Sequence, residues 1–141
     1  QRGETMASDP KPTILIVDDE KEYAKATSKL LQHSGYPAYV AHGAVEAMSL
    51  LREITPRVIL IDVMMPEVDG LTLLRHIGSK PEFLHTRLVV VSANGLAKNR
   101  AAAWLAGADA FLGKPYSFDQ LHEIIEHVLG ESSSSDSRLP Q

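Results

Sequence analysis

Val58-Ile59-Leu60-Ile61 is a run of four apolar residues that ends on a carboxylate, Asp62. A run this short, with no polar alternation, suits a strand buried on both faces of a parallel sheet. The pattern recurs along the chain. Thr13-Ile14-Leu15-Ile16-Val17 ends at Asp18-Asp19-Glu20, and Leu88-Val89-Val90-Val91 ends at Ser92. Two shorter runs span Pro37 to Ala41 and about Asp109 to Leu112. Five such runs alternating with five helical patterns leave few folds open. Right-handed crossovers must cover both faces of the sheet, which predicts a three-layer α/β sandwich around a five-stranded parallel sheet.

The helical stretches carry stripes and stops. Tyr23, Thr27, Leu30 and Leu31 make the first stripe, with Gly35 as its stop. Ala44, Val45, Ala47, Met48, Leu50 and Leu51 make the second, stopped before Pro56. The third opens near Asp69, a good N-cap, and carries Leu71, Leu73, Leu74 and Ile77 before Gly78. A polar loop through Pro81 follows. The fourth is Ala-rich, from about Ala97 to Ala106, and Gly107 closes it. Lys98, Asn99 and Arg100 read as its surface, and Trp104 as packing. The fifth opens on Ser117-Phe118-Asp119-Gln120, a capping box, and its stripe of Leu121, Ile124, Ile125, Val128 and Leu129 runs to Gly130. Residues 1–12 form a polar, flexible lead-in, with Met6 read as a natural start, and residues 131–141, with four consecutive serines, a flexible tail. Residues 13–130 are expected to be a single domain, in keeping with 141 residues in all.

Composition removes several function classes. The net charge of -4 offers no basic footprint for nucleic acid. There is no cysteine, so disulfides and thiolate chemistry are out, and a reducing compartment is compatible. No apolar run approaches the about 20 residues of a membrane helix, and the first dozen residues lack the apolar core of a signal peptide. A cytoplasmic protein is expected.

What stands at the strand ends carries the chemistry. Strand one ends in Asp18 and Asp19, strand three in Asp62, strand four in Ser92 and strand five in Lys114. In a parallel sheet these ends share one edge, where open α/β folds bind ligands. Three acids in a small volume repel one another and call for a cation. Mg²⁺ fits, because it takes one or two carboxylates and fills its remaining positions with water and phosphate oxygens. Lys114 supplies a mobile point charge for a phosphoryl anion, and Ser92 a hydroxyl that can rotate toward it. Asp62 is then a candidate nucleophile of aspartyl-phosphate chemistry. Taken singly, an Asp pair is more often a helix cap, a Ser a cap and a Lys plain surface. Joint placement at four strand ends is what favours a site.

With these motifs the chain resembles the receiver domains of two-component response regulators. The resemblance covers about Thr13 to Gly130 and rests on Val17-Asp18-Asp19-Glu20, on Asp62-Val63-Met64-Met65-Pro66-Glu67-Val68-Asp69-Gly70, on Ser92-Ala93 and on Gly107 to Pro115. It implies a flavodoxin-like sheet order, 2-1-3-4-5. It implies that Asp62 is the phosphoacceptor, modified from a phosphohistidine on a sensor histidine kinase or histidine phosphotransfer protein. Mg²⁺ would be held by Asp19 directly, by Asp18 largely through water, by Asp62 and by the carbonyl of Met64. Ser92 would be the switch hydroxyl, Phe111 the aromatic that follows it inward, and Lys114 the contact to the phosphoryl oxygens. The Lys114-Pro115 peptide would be cis. The face made by the fourth helix, fifth strand and fifth helix would be the output surface and a route to homodimers. Such a domain is a signalling module that promotes its own phosphoryl transfer and slow dephosphorylation, not an enzyme. Phe111 departs from the commoner Tyr and loses its hydroxyl; Ser92 replaces the commoner Thr and keeps one. Met64 and Asn94 stand where the family tunes phosphoryl lifetime, and an apolar Met64 predicts no fast self-dephosphorylation. The chain fits either a stand-alone regulator or a receiver from a longer protein such as a hybrid kinase.

Rival readings fare worse. A haloacid-dehalogenase-like phosphatase needs a second Asp two residues after the nucleophile, where this chain has Met64. There is no Gly-x-Gly-x-x-Gly after strand one and no Walker-type loop. His122 and His127 are five apart, about 140° around a helix, which is wrong for a shared zinc. The rival that survives is a receiver used as a phosphorylation-independent dimerisation or docking module.

Overall fold

Each of the five apolar runs forms a strand, and the differences from expectation lie at the ends. The computed structural model describes residues 11–63, 70–93 and 96–130, with backbone alone for 96–99. The strands are β1 (Ile14–Val17), β2 (Ala38–Ala41), β3 (Val58–Asp62), β4 (Arg87–Ser92) and β5 (Ala110–Gly113). The helices are α1 (Lys21–His33), α2 (Ala44–Leu50), α3 (Gly70–Gly78), α4 (Leu96–Ala106) and α5 (Phe118–Val128). All strand pairs are parallel, in the order β2-β1-β3-β4-β5. This is the 2-1-3-4-5 arrangement, flavodoxin-like, that the resemblance implies.

Every residue of β1 and β3 is buried, as strands covered on both faces require. Along each of these strands, alternate residues serve opposite layers. Leu15, Val17, Ile59, Ile61 and Val90 face α2, α3 and α4 through Ala47, Leu74, Ile77 and Ala103. Ile14, Ile16, Val58, Leu60 and Val91 face α1 and α5 through Ala24, Leu31, Leu121 and Ile125. Each fully buried Leu or Ile stabilises by about 1.5–3 kcal/mol, so these two layers, not the polar edge, hold the domain together.

Strand ends shift by a residue for hydrogen-bonding reasons. Pro37 has no N–H and joins only through its carbonyl, which accepts from Ile14 N at 2.9 Å, so β2 begins at Ala38. Asp109 pairs partly through its side chain, Oδ2 accepting from Leu88 N at 2.8 Å, so β5 begins at Ala110. The loop expected through Pro81 contains a 3₁₀ turn, Pro81–Phe83, that buries Phe83. Two stripes also need correction. In α1 the buried set is Ala24, Thr27, Ser28 and Leu31, while Leu30 is 47% exposed. In α2, Val45 is 83% exposed and Ala47 takes the core. In α1 small residues sit closest to the sheet, so its stripe is read a residue off when large side chains are counted first. The capping box of α5 is present, with Gln120 N donating to Ser117 Oγ at 3.1 Å and Ser117 N to Gln120 Oε1 at 2.9 Å. The expected N-cap Asp69 lies outside the described residues, as do the proposed lead-in through Pro10 and the tail from Glu131.

The order reverses between β1 and β3. Their carboxyl ends therefore border a crevice that no connection crosses, and this is where ligands of such sheets bind.

Candidate functional site

Asp62 closes β3 and is 5% exposed. Beside it, Asp18 follows β1 directly, is 3% exposed, and is fixed by Asp18 N donating to Ala41 O at 3.0 Å. Its Oδ1 accepts from Glu20 N at 2.9 Å, which sets Glu20 as the extended N-cap residue of α1. The chain bends at Asp19 between them, and this Asp18-to-Glu20 turn holds Asp18 and Glu20 beside the same ammonium. Ser92 ends β4 and is fully buried; its carbonyl accepts from Lys114 N at 2.9 Å. That bond ends β5 and launches Lys114 over the crevice. The Lys114–Pro115 peptide is cis.

Lys114 Nζ is the hub. It lies 2.8 Å from Asp18 Oδ2, 2.6 Å from Glu20 Oε1 and 3.1 Å from Asp62 Oδ2, with its side chain 5% exposed. The Tyr23 ring lies 4.6 Å from it. Three carboxylates share one ammonium, which leaves a net charge of -2 when all are ionised. The two sides of these pairs fare differently. Burial penalises the Lys114 charge, but bonds to Asp18, Glu20 and Asp62 more than offset this and hold its proton tighter than usual. Asp18 loses more to burial than its bond to Lys114 returns, so its carboxyl sits above the ordinary carboxylate value. Both move upward, because hydrogen bonds outweigh burial at Lys114 and burial outweighs hydrogen bonds at Asp18.

Among the described residues, Asp18, Glu20 and Asp62 each offer an oxygen within 4.8 Å of the others. Oxygens on opposite sides of a Mg²⁺ are about 4.2 Å apart, and its ligands are hard oxygens, so this donor set fits the ion after small movements. The structure thus brings together Asp18, Asp62, Ser92 and Lys114 at one edge. Asp19, half-buried, is outside the close group, and Met64 lies outside the described residues. Glu20 and Tyr23 were missed as site residues. Their signal was the third acid of Asp18-Asp19-Glu20 and an aromatic three residues further on, one helical turn away.

Phe111 is half-buried on the same sheet face as Ser92. Val90 pairs with Phe111 and Ser92 with Gly113, so Phe111 stands one dipeptide step from the hydroxyl, about 6.6 Å along the strand. Trp104 meets its ring edge-on at 4.9 Å, and Arg100 Cζ lies 4.7 Å from its centroid. His122 stacks on Phe118 at 5.6 Å and pairs with Glu126 at 3.3 Å, a surface arrangement.

The model of the response regulator receiver domain matches residues 14–126. The chain belongs to this family. Curated relatives of the receiver include response regulator Rre1 of Synechocystis, 32% identical over 87% of this chain and 54% of its own length. Response regulator MprA of Mycobacterium avium is 32% identical over 87% of this chain and 53% of its length. The chain spans about half the length of these relatives. Among solved structures, the receiver domain of Francisella response regulator 1452 is 31% identical, with a TM-score of 0.74 over 84% of this chain and 97% of that one. The receiver domain of histidine kinase PA1611 from Pseudomonas aeruginosa, 23% identical, shares the fold with a TM-score of 0.77 over 86% of this chain and 99% of that one; its structure has a magnesium ion coordinated in the active-site cleft. Among the described residues of this receiver, no helix is long and apolar enough to cross a membrane.

Proposed function

We propose that this receiver is the phosphoacceptor of a two-component phosphorelay and that Asp62 is the residue modified. The observation that carries the reading is a buried carboxylate at the end of the central strand, 3.1 Å from a buried ammonium and within 4.8 Å of two further acids. A carboxylate oxygen of Asp62 attacks phosphorus; the new O–P bond forms as the N–P bond of a phosphohistidine breaks, and the electron pair returns to the ring nitrogen. Lys114, delivered by β5, takes up charge on the phosphoryl oxygens. Such transfer needs in-line placement and charge neutralisation more than acid–base work. Asp18, Asp19, Asp62 and the carbonyl of Met64 would hold Mg²⁺, which when bound would supply further positive charge against the phosphoryl oxygens. The magnesium ion in the cleft of the similarly folded Pseudomonas aeruginosa receiver supports an ion at this edge.

Ser92 then turns its hydroxyl to the phosphoryl group, and Phe111 follows it inward, giving up its contacts with Arg100 and Trp104. The α4–β5–α5 face changes, and that change is the output, by a downstream partner or by homodimerisation. The phosphoryl donor is a sensor histidine kinase or a histidine phosphotransfer protein, and the setting is cytoplasmic. The domain, residues 13–130, is a signalling module whose dephosphorylation is slow.

The test is intact-mass analysis after incubation with Mg²⁺ and acetyl phosphate, beside Asp62→Asn. One added phosphoryl group, absent in the variant and absent with chelator, is expected. No gain with acetyl phosphate or with a phosphorylated histidine kinase domain would sink the phosphoacceptor role and leave a docking module.

A further inference from the structure

Lys114 makes two contacts that the proposed transfer does not use, and both come from α1 or its cap. Glu20 Oε1 is its nearest acceptor at 2.6 Å, closer than Asp18 or Asp62. An ammonium has three protons to donate, and the three carboxylates take them all. The acceptors differ in freedom. The Asp18 and Asp62 side chains are 4% and 6% exposed, whereas that of Glu20 is 61% exposed. Glu20 is anchored through its backbone, its N–H donating to Asp18 Oδ1 and its carbonyl accepting from Ala24 N at 2.9 Å, while its exposed carboxylate has room to leave. Tyr23 adds a ring 4.6 Å from Nζ, and its hydroxyl accepts from Tyr116 N at 3.1 Å, which ties that ring to the segment after Lys114.

We propose that Glu20 is a releasable latch on Lys114, holding the ammonium against α1 in the unmodified domain and restraining phosphoryl transfer to Asp62. This rests on the reading of Asp62 as phosphoacceptor. An exposed carboxylate grips a cation weakly and is screened by salt. A phosphoryl group brings roughly two negative charges, enough to draw the ammonium off a single exposed acid. Until then Glu20 costs the reaction twice. It occupies a proton that Lys114 would offer the phosphoryl oxygens, and its charge opposes an anionic donor. Glu20 acts through Lys114 and is a positioning residue.

Glu20→Gln keeps the size and removes the charge. With acetyl phosphate and Mg²⁺, the rate of phosphorylation followed by intact mass is expected to rise about two- to fivefold, the rate equivalent of a weak exposed charge pair. The gain is expected to vanish in a Lys114→Ala background, because the coupling runs through that ammonium. An unchanged or slower rate in Glu20→Gln, or a gain that persists without Lys114, overturns the latch. A second readout needs no phosphoryl group. The ¹⁵N resonance of the Lys114 ammonium, sheltered by burial and three hydrogen bonds, should shift or broaden in Glu20→Gln. An unmoved resonance overturns the latch even if wild-type Asp62 takes no phosphoryl group, an outcome that would sink the phosphoacceptor reading instead.

Discussion

The two ends of the sheet solve the same problem in opposite ways. Both bury polar groups, and a buried polar group without a partner is costly. At the amino end, Thr86 Oγ1 donates to Pro56 O at 2.7 Å, Leu88 N to Asp109 Oδ2 at 2.8 Å and Arg87 Nε to Val128 O at 3.1 Å. Each partner is fixed backbone or bonds fixed backbone. At the carboxyl end, Asp18, Glu20 and Asp62 crowd one Lys114, and negative charge is left over. One end spends its polar groups on stability. The other carries an imbalance that a bound cation or phosphoryl chemistry can exploit.

The largest expected effect separates steric from electrostatic demands at the carboxyl end. A Cβ on Gly70 would lie 2.6 Å from Val63 Cα and 2.8 Å from Asp62 O, both backbone atoms. Gly70→Ala should therefore cost about 3–4 kcal/mol, read as a lower denaturant midpoint at unchanged slope. A loss below about 1 kcal/mol would mean that the start of α3 gives way easily and that the packing under Asp62 is soft.

Next comes the charge imbalance itself. Mg²⁺ at about a hundred times its Kd should add about 2.7 kcal/mol of stability, and Asp18→Asn should lose most of that. The pH dependence follows from the raised Asp18 pKa. A raised carboxyl pKa contributes stability that is present below its unfolded value of 3.8 and lost as pH rises through the folded value. Metal-free wild type should thus lose stability relative to Asp18→Asn as pH rises from acid. The Mg²⁺ increment needs the carboxylate and should shrink as pH falls. An increment that is flat with pH and survives Asp18→Asn would place the cation elsewhere.

Thr86→Val probes the amino end. It strips the donor from a buried carbonyl and should cost about 2 kcal/mol, while phosphoryl uptake and the Mg²⁺ increment stay as in wild type. A change in either would couple the two ends and end the division of labour.

Much of this is legible in the sequence, for a physical reason. Val58 to Ile61 and Ile14 to Val17 are too short and too uniformly apolar for anything but buried strands, and alternation with helices then places Asp18, Asp62, Ser92 and Lys114 on one edge. The sheet order was not legible from pattern, because periodicity says which face is buried and nothing of which strand is the neighbour; it came from the family resemblance. Leu30 was misplaced because Ala24 and Ser28 pack close without being large, and Val45 because an apolar side chain beside Ala44 and Ala47 need not share their face. Glu20 and Tyr23 escaped notice because their part depends on the reach of Lys114 across ninety-odd residues of chain, which no local spacing records.

The smallest effect tests whether the division follows location or chemistry. Tyr116 sits at the carboxyl end, two residues past Lys114, yet it is partnered in the manner of the amino end: its hydroxyl shares a 3.0 Å bond with Thr27 Oγ1. Burial raises its pKa to about 12, against a partial offset from the Thr27 bond. Tyr116→Phe should cost about 1 kcal/mol, independent of Mg²⁺ and of phosphorylation. The sign with pH is set by the raised pKa: the contribution is full below 10.0 and is lost as pH climbs through about 12. The stability difference between wild type and Tyr116→Phe should therefore hold level to pH 10 and then close, because ionising a buried phenol costs what its neutral bond gained. If the difference instead tracked Mg²⁺ or the phosphoryl state, proximity to the acidic cluster would outweigh the neutral pairing. The carboxyl end would then be one electrostatic unit, not a charged site set among ordinary structural bonds.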